Sequence, residues 1–208
     1  MNNSINNNMI PKISFEYSSI YDDHFKKYYE ARCKVFNKKI ENYPSSESVL
    51  KYMSKAEKIW NKHSNSIINE ISNSSKLKWK SKAIKCYFIG WGINLSDPLT
   101  ISTFNNIENF IHVLTHELIH QILFQNEDIT SNAWKFLGNK YKNESQSTRA
   151  HIIVHAIHSK IYLKLFNKKY LELDIKQSKN FPEYKKSWDI IKKEGADNII
   201  KEFNNHCK

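Results

Sequence analysis

The chain has 208 residues, of which 40% are apolar and 13% aromatic, which is typical of a folded globular protein and excludes a disordered one. No apolar run is long enough to span a membrane, and four Gly and four Pro predict long helices with little irregular chain. The net charge of +11 comes almost entirely from lysine, because only Arg32 and Arg149 are arginine, so we do not expect a nucleic-acid-binding protein.

The N-terminal segment is polar and asparagine-rich and lacks the apolar core of a secretory signal peptide. We predict a disordered terminus over residues 1–10 and one domain over residues 11–208. Three scattered cysteines, Cys33, Cys86 and Cys207, form no disulfide framework. A cytoplasmic location is therefore expected, although export by another route stays open.

The first half of the chain predicts two long helices between short strands. Apolar and polar residues alternate over residues 11–17, which predicts a strand. Apolar residues recur at helical spacing over residues 18–41, and a second helix is predicted from Ser46 to about Ser74. Residues 83–91 and 99–102 predict two further strands, and Pro98 is compatible with the second of them lying at the sheet edge. An edge strand could hold an extended peptide, although it could equally be an edge without a ligand.

The second half predicts helices almost throughout. A helix over residues 107–124 has no Gly or Pro, and its apolar residues lie on nearly all of its sides, which indicates burial. Later helices are predicted over about 129–141, 147–166, 183–194 and 196–205. The predicted fold class is therefore α+β and mostly helical, with a small sheet before the helix over 107–124.

That helix carries the motif H-E-x-x-H as His116, Glu117 and His120. Residues four apart lie on one side of a helix, so the two imidazoles can share one metal ion. Glu117 projects beside them and can act as general base toward a metal-activated water. Polar groups on a buried helix need partners, and Zn²⁺ would supply them.

A second histidine stripe lies on the helix over 147–166, at His151, His155 and His158. Catalytic zinc takes three protein ligands and keeps one position open, so we expect the third ligand here. We predict His155, with His151 as the main alternative and Glu144 as a further one. A histidine that does not bind the metal could hydrogen-bond a ligand or polarise the substrate carbonyl. His151, His158 and Tyr162 are the candidates for that role.

The segment from Thr115 to Gln121 resembles the active helix of zincin metallopeptidases. The resemblance implies a zinc-dependent hydrolase with His116 and His120 as ligands and Glu117 as general base. The metzincin pattern is absent, because Leu123 and Asn126 stand where it requires Gly and His. The distance to the second histidine stripe is similar to the layout of gluzincins, with a histidine in place of their glutamate ligand.

We therefore predict a divergent, gluzincin-like metallopeptidase that hydrolyses peptide bonds of a peptide or protein substrate. One alternative is a zinc hydrolase of non-peptide amides or esters that uses the same residues. Another is a non-catalytic binding protein whose zinc is closed by four protein ligands, for example by both His151 and His155. A lysine-rich nucleic-acid binder with a chance H-E-x-x-H is a third.

Overall fold

A computed structural model describes residues 10–103, 106–178 and 180–207. The predicted disordered terminus lies outside the described residues, apart from Ile10. The fold is α+β and mostly helical, as predicted. The strands are β1 (Lys12–Tyr17), β2 (Ala83–Ile89), β3 (Leu95–Ser96) and β4 (Leu99–Ser102). The helices are α1 (Ser19–Val35), α2 (Ser46–Ser75), α3 (Phe110–Gln125), α4 (Glu127–Lys140), α5 (Gln146–Leu165), α6 (Lys168–Ser178), α7 (Pro182–Glu194) and α8 (Ala196–Asn205).

The described strands form a four-stranded mixed sheet in the order β1-β2-β4-β3. β1 and β2 are parallel, with Lys12 opposite Ala83, and β2 and β4 are also parallel. β3 pairs antiparallel with β4 and forms the edge. The edge strand is therefore β3, and the prediction that residues 99–102 form the edge is wrong. A two-residue strand is too short to leave an alternating pattern in the sequence.

Residues 11–64 and 81–121 form one compact unit, which contains the sheet. Its core is aromatic. The Phe88 ring of β2 lies 5.3 Å from that of Phe15 on β1 and 6.0 Å from that of Phe110 at the start of α3. Phe88 and Phe110 are fully buried. These ring contacts fix the first turn of α3 against the sheet, since buried aromatic pairs add to the free energy of burial.

A buried carboxylate ties α1 to the end of β2 in the same unit. Asp22 accepts hydrogen bonds from the hydroxyl of Tyr43 at 2.5 Å and from that of Tyr17 at 3.1 Å. It also accepts one from the backbone N–H of Gly90 at 2.8 Å. Three donors satisfy a carboxylate that would otherwise be costly to bury.

Residues 65–80 and 122–208 form the other compact unit, which is helical. Helix α5 packs against α6, α7 and α8, and most of its side chains are buried. Ser145 caps its first turn by accepting a hydrogen bond from the backbone N–H of Thr148 at 3.1 Å. The histidine stripe therefore stands on the most enclosed helix of this unit.

The helix boundaries agree with the sequence prediction for α2, α3, α4, α5, α7 and α8 to within a few residues. Helix α1 is shorter than the predicted 18–41, because it ends at Val35. Helix α6 was not predicted. All three cysteines are free, and no helix in the described ranges is long and apolar enough to cross a bilayer.

Candidate metal centre

Helix α3 carries the H-E-x-x-H residues on a helix that is otherwise largely buried. His116 and His120 lie side by side, with ring centroids 5.1 Å apart, as the four-residue spacing requires. Both are half-buried, whereas Leu114, Leu118 and Ile122 on the other side are fully buried. The two imidazoles therefore lie at the partly exposed side of the helix, where a small ligand can reach them.

Glu117 is the buried acid of the motif, at 8% exposure. Burial raises the pKa of its carboxyl to about 7, and a hydrogen bond from Ser96 acts in the opposite direction. Its charge also contributes to raising the pKa of the buried Cys86 thiol, for which burial is the main cause. A carboxyl group with a pKa near neutrality is suited to proton transfer at neutral pH.

The edge strand β3 lies against α3 next to this glutamate. The Gln121 side-chain amide donates a hydrogen bond to the backbone carbonyl of Ser96, and Ser96 also hydrogen-bonds Glu117. The same β3 residue therefore contacts the motif helix at two positions one turn apart. These contacts depend on a strand that the sequence did not reveal.

The end of α3 is fixed by Asn126, which is almost fully buried. Its side-chain amide donates hydrogen bonds to the carbonyls of Ile122 and Lys78, both at 2.8 Å. The first bond satisfies a carbonyl in the last turn, where helical partners run out. Asn126 therefore ends helix α3 and also binds the backbone of the segment at Lys78.

His151 on α5 is half-buried, and its Nδ1 lies 2.8 Å from the carbonyl oxygen of Ser147 one turn earlier. A carbonyl only accepts, so Nδ1 carries the proton and Nε2 keeps a lone pair. Burial lowers the pKa of this imidazole below its ordinary value, although the Ser147 carbonyl and the charge of Glu183 act in the opposite direction. Metal binding requires a neutral imidazole, so the effect of burial favours it.

His116 and His120 lie in the compact unit that contains the sheet, whereas His151 lies in the helical unit. Each of the three imidazoles is half-buried on its own helix. The third ligand from the α5 stripe therefore stays a prediction.

His155, the first prediction for the third ligand, contacts helix α7. It is 1% exposed, its ring stacks on Trp188 with centroids 4.5 Å apart, and its Nδ1 lies 2.6 Å from the hydroxyl oxygen of Ser187. The Ser187 hydroxyl donates to the carbonyl of Tyr184, so it accepts from His155. His155 therefore has an established set of contacts with α7.

The remaining candidates lie in the core of the helical unit or at its surface. His158 and Tyr162 are buried, with ring centroids 4.3 Å apart. Burial raises the pKa of the Tyr162 hydroxyl. Glu144 lies 3.4 Å from the ammonium of Lys186, an ion pair at the surface.

Sequence reasoning missed Tyr184 on α7. Its ring centroid lies 4.1 Å from that of His151 and 5.2 Å from that of His155. A tyrosine on a lysine-rich amphipathic helix carries no signal in the sequence that would connect it to a histidine 33 positions earlier. Only the packing of α7 on α5 reveals the contact.

Comparison with protein-family models, with curated proteins and with solved structures gave no match.

Proposed function

We propose that this protein is a zinc-dependent hydrolase, a divergent zincin-like metallopeptidase. In this proposal His116 and His120 hold the metal ion, His151 of the α5 stripe is the third ligand, and Glu117 is the general base. The observation that carries the proposal is the pair of half-buried imidazoles on α3 beside a buried glutamate.

The residue types and the spacing on α3 suit zinc. The imidazole rings of His116 and His120 lie side by side, with centroids 5.1 Å apart, as a helix places two zinc ligands four residues apart. Three neutral imidazoles are a ligand set that zinc accepts readily. On the α5 stripe, Nδ1 of His151 carries the proton, so its Nε2 keeps the lone pair that a metal ligand needs.

The contacts of His155 support a catalytic site over a structural one. A structural zinc is closed by four protein ligands, whereas a catalytic zinc has three and an open position. The closed alternative would need His155, which is instead stacked on Trp188 and bonded to Ser187.

The chain's own residues divide the proposed reaction between them. When bound, zinc supplies a Lewis acid that acidifies water and polarises a carbonyl group. Glu117 accepts a proton from the attacking water and returns it to the leaving amine. Its burial keeps bulk water away from that proton.

The edge strand favours an extended peptide as the substrate. β3 has one strand partner, β4, in the part of the chain that the structure describes, and its Ser96 hydrogen-bonds Glu117. An extended chain that pairs with such an edge would pass beside the base. Non-peptide amides and esters have no backbone with which to form this pairing.

The test combines elemental analysis with turnover on a fluorogenic peptide library. We expect about one zinc per wild-type chain, lost in His116→Ala and His151→Ala and kept in His155→Ala. Glu117→Gln should keep zinc and lose roughly 100- to 10,000-fold in turnover. Full turnover in zinc-loaded Glu117→Gln would refute the role of Glu117. A wild-type protein that takes up no zinc would refute the metal site.

A further inference from the structure

Helix α1 has an apolar side that faces solvent. Ile20 and Val35 are each 76% exposed, and Tyr28 is 47% exposed. An α-helix turns about 100° per residue, so these three side chains project within roughly 80° of one another. Asp22 and Cys33, the buried residues of the helix, project from the opposite side. Single exposed apolar residues are common, whereas a row of them along one side of a helix indicates a binding surface.

Arg32 holds the aromatic end of this row. Phe36, which follows the last residue of α1, is 60% exposed. The guanidinium carbon of Arg32 lies 5.7 Å from the ring centroid of Tyr28 and 5.6 Å from that of Phe36. The guanidinium also donates a hydrogen bond to the Tyr28 hydroxyl at 3.2 Å. These cation–π contacts and the hydrogen bond keep both rings at the surface of the helix.

Basic side chains are concentrated along the same segment. Residues 26–39 contain six of them, all exposed, and one acid, Glu30. The six are Lys26, Lys27, Arg32, Lys34, Lys38 and Lys39. Lys27 forms an exposed ion pair with Asp23 at 3.0 Å, and such pairs are weak in water. The excess of positive charge opposes pairing with a second copy of this chain through the same surface, because like charges would meet.

We propose that this segment docks on an anionic lipid bilayer. The α1 surface consists of the six basic residues and of four apolar ones, Ile20, Tyr28, Val35 and Phe36. Its apolar side chains enter the boundary between headgroups and acyl chains, and its basic side chains contact the headgroup phosphates. Five of the six basic residues are lysines, whose flexible stems cover apolar surface while the ammonium group reaches a phosphate as a point charge. A protein carboxylate is matched best by the bidentate arginine fork, so the lysines favour a lipid surface over an acidic protein.

The two parts of the α1 surface can be removed separately. Each basic residue near an anionic bilayer strengthens binding by roughly 5-fold, so Lys34→Ala/Lys38→Ala should weaken it by about 25-fold. Ile20→Asn/Val35→Asn replaces two exposed apolar side chains by polar ones and should weaken binding by roughly 10-fold or more. Both losses are expected because the apolar and the charged contacts act together.

The experiment is co-sedimentation of the full chain with vesicles of phosphatidylcholine, with and without phosphatidylserine. The control for the apolar change is Leu163→Asn, since Leu163 on α5 is 57% exposed. The control for the charge change is Lys192→Ala/Lys193→Ala on α7, where both side chains are exposed. Circular dichroism of every variant checks the fold, which substitutions at exposed positions should leave intact. We expect the wild type and both controls to bind only the vesicles with phosphatidylserine, and less at high salt.

Three outcomes would overturn the inference. One is a wild type that binds neither kind of vesicle. Another is full binding by Ile20→Asn/Val35→Asn, which would reduce the interaction to adsorption of a basic protein. The third is equal affinity for soluble polyglutamate with the same loss in both variants, which would assign the α1 surface to an acidic protein. The zinc content of both variants should equal that of the wild type, so this inference and the proposed function fail independently of each other.

Discussion

The orientation of α3 can be tested at Leu118, which lies two positions from each histidine of the motif. An α-helix turns about 100° per residue, so Leu118 projects opposite the midpoint between His116 and His120. Its side chain is fully buried, whereas the histidines are half-buried. If α3 presents the histidines outward, Leu118→Ala must leave a cavity in the core.

The size of the effect follows from the carbons that are removed. Leu118→Ala deletes three of them, and burial stabilises by about 0.8 kcal/mol for each such group, or about 2.4 kcal/mol. The cavity adds to this loss, so we expect the free energy of unfolding to fall by about 3.5 kcal/mol. For a chain of this length the melting temperature should decrease by roughly 7–14 °C.

The assay is urea denaturation of metal-free protein, with Phe124→Ala as the control on the same helix. Phe124 is larger than Leu118 but 53% exposed, so its truncation should lower the free energy of unfolding by about 1 kcal/mol or less. Leu118→Ala should keep the zinc stoichiometry of the wild type, since it removes no ligand. A loss below about 1 kcal/mol for Leu118→Ala would refute the orientation of α3 and with it the exposure of His116 and His120.

Two further predictions concern stability. Burial lowers the pKa of His112 to about 4, so the unfolded chain binds more protons than the native protein between about pH 6.5 and 4. The free energy of unfolding should therefore decrease as the pH is lowered through that window. The decrease should reach about 3 kcal/mol by pH 4 and should be absent in His112→Gln. Urea denaturation of both proteins from pH 7 to 4 measures it, and parallel pH profiles for the two proteins would contradict the prediction. Gly90→Ala places a methyl group 2.5 Å from the ring of Tyr43, and the hydrogen bond to Asp22 holds that ring in place. The free energy of unfolding should therefore decrease by about 1–3 kcal/mol. The control is Gly138→Ala, where the added carbon meets no atom within 4 Å. An equal loss of stability in both variants would refute the explanation by steric overlap with Tyr43.

The sequence by itself determined the local parts of the site. Helical periodicity places His116 and His120 on one side of α3 whatever surrounds them, and the structure has their rings 5.1 Å apart. The same reasoning identified α5 and its histidine stripe. Such patterns depend on contacts within one or two turns, which the order of residues fixes directly.

The tertiary structure alone decided the surroundings of each histidine in the stripe. Periodicity fixes the angle of His151 and His155 around α5, but it does not specify what stands opposite each of them. Ser187 and Trp188 of α7 contact His155, whereas Nδ1 of His151 bonds to the Ser147 carbonyl of its own helix. Contacts between residues far apart in the chain leave no local pattern, so the packing of α7 could not be read from the sequence.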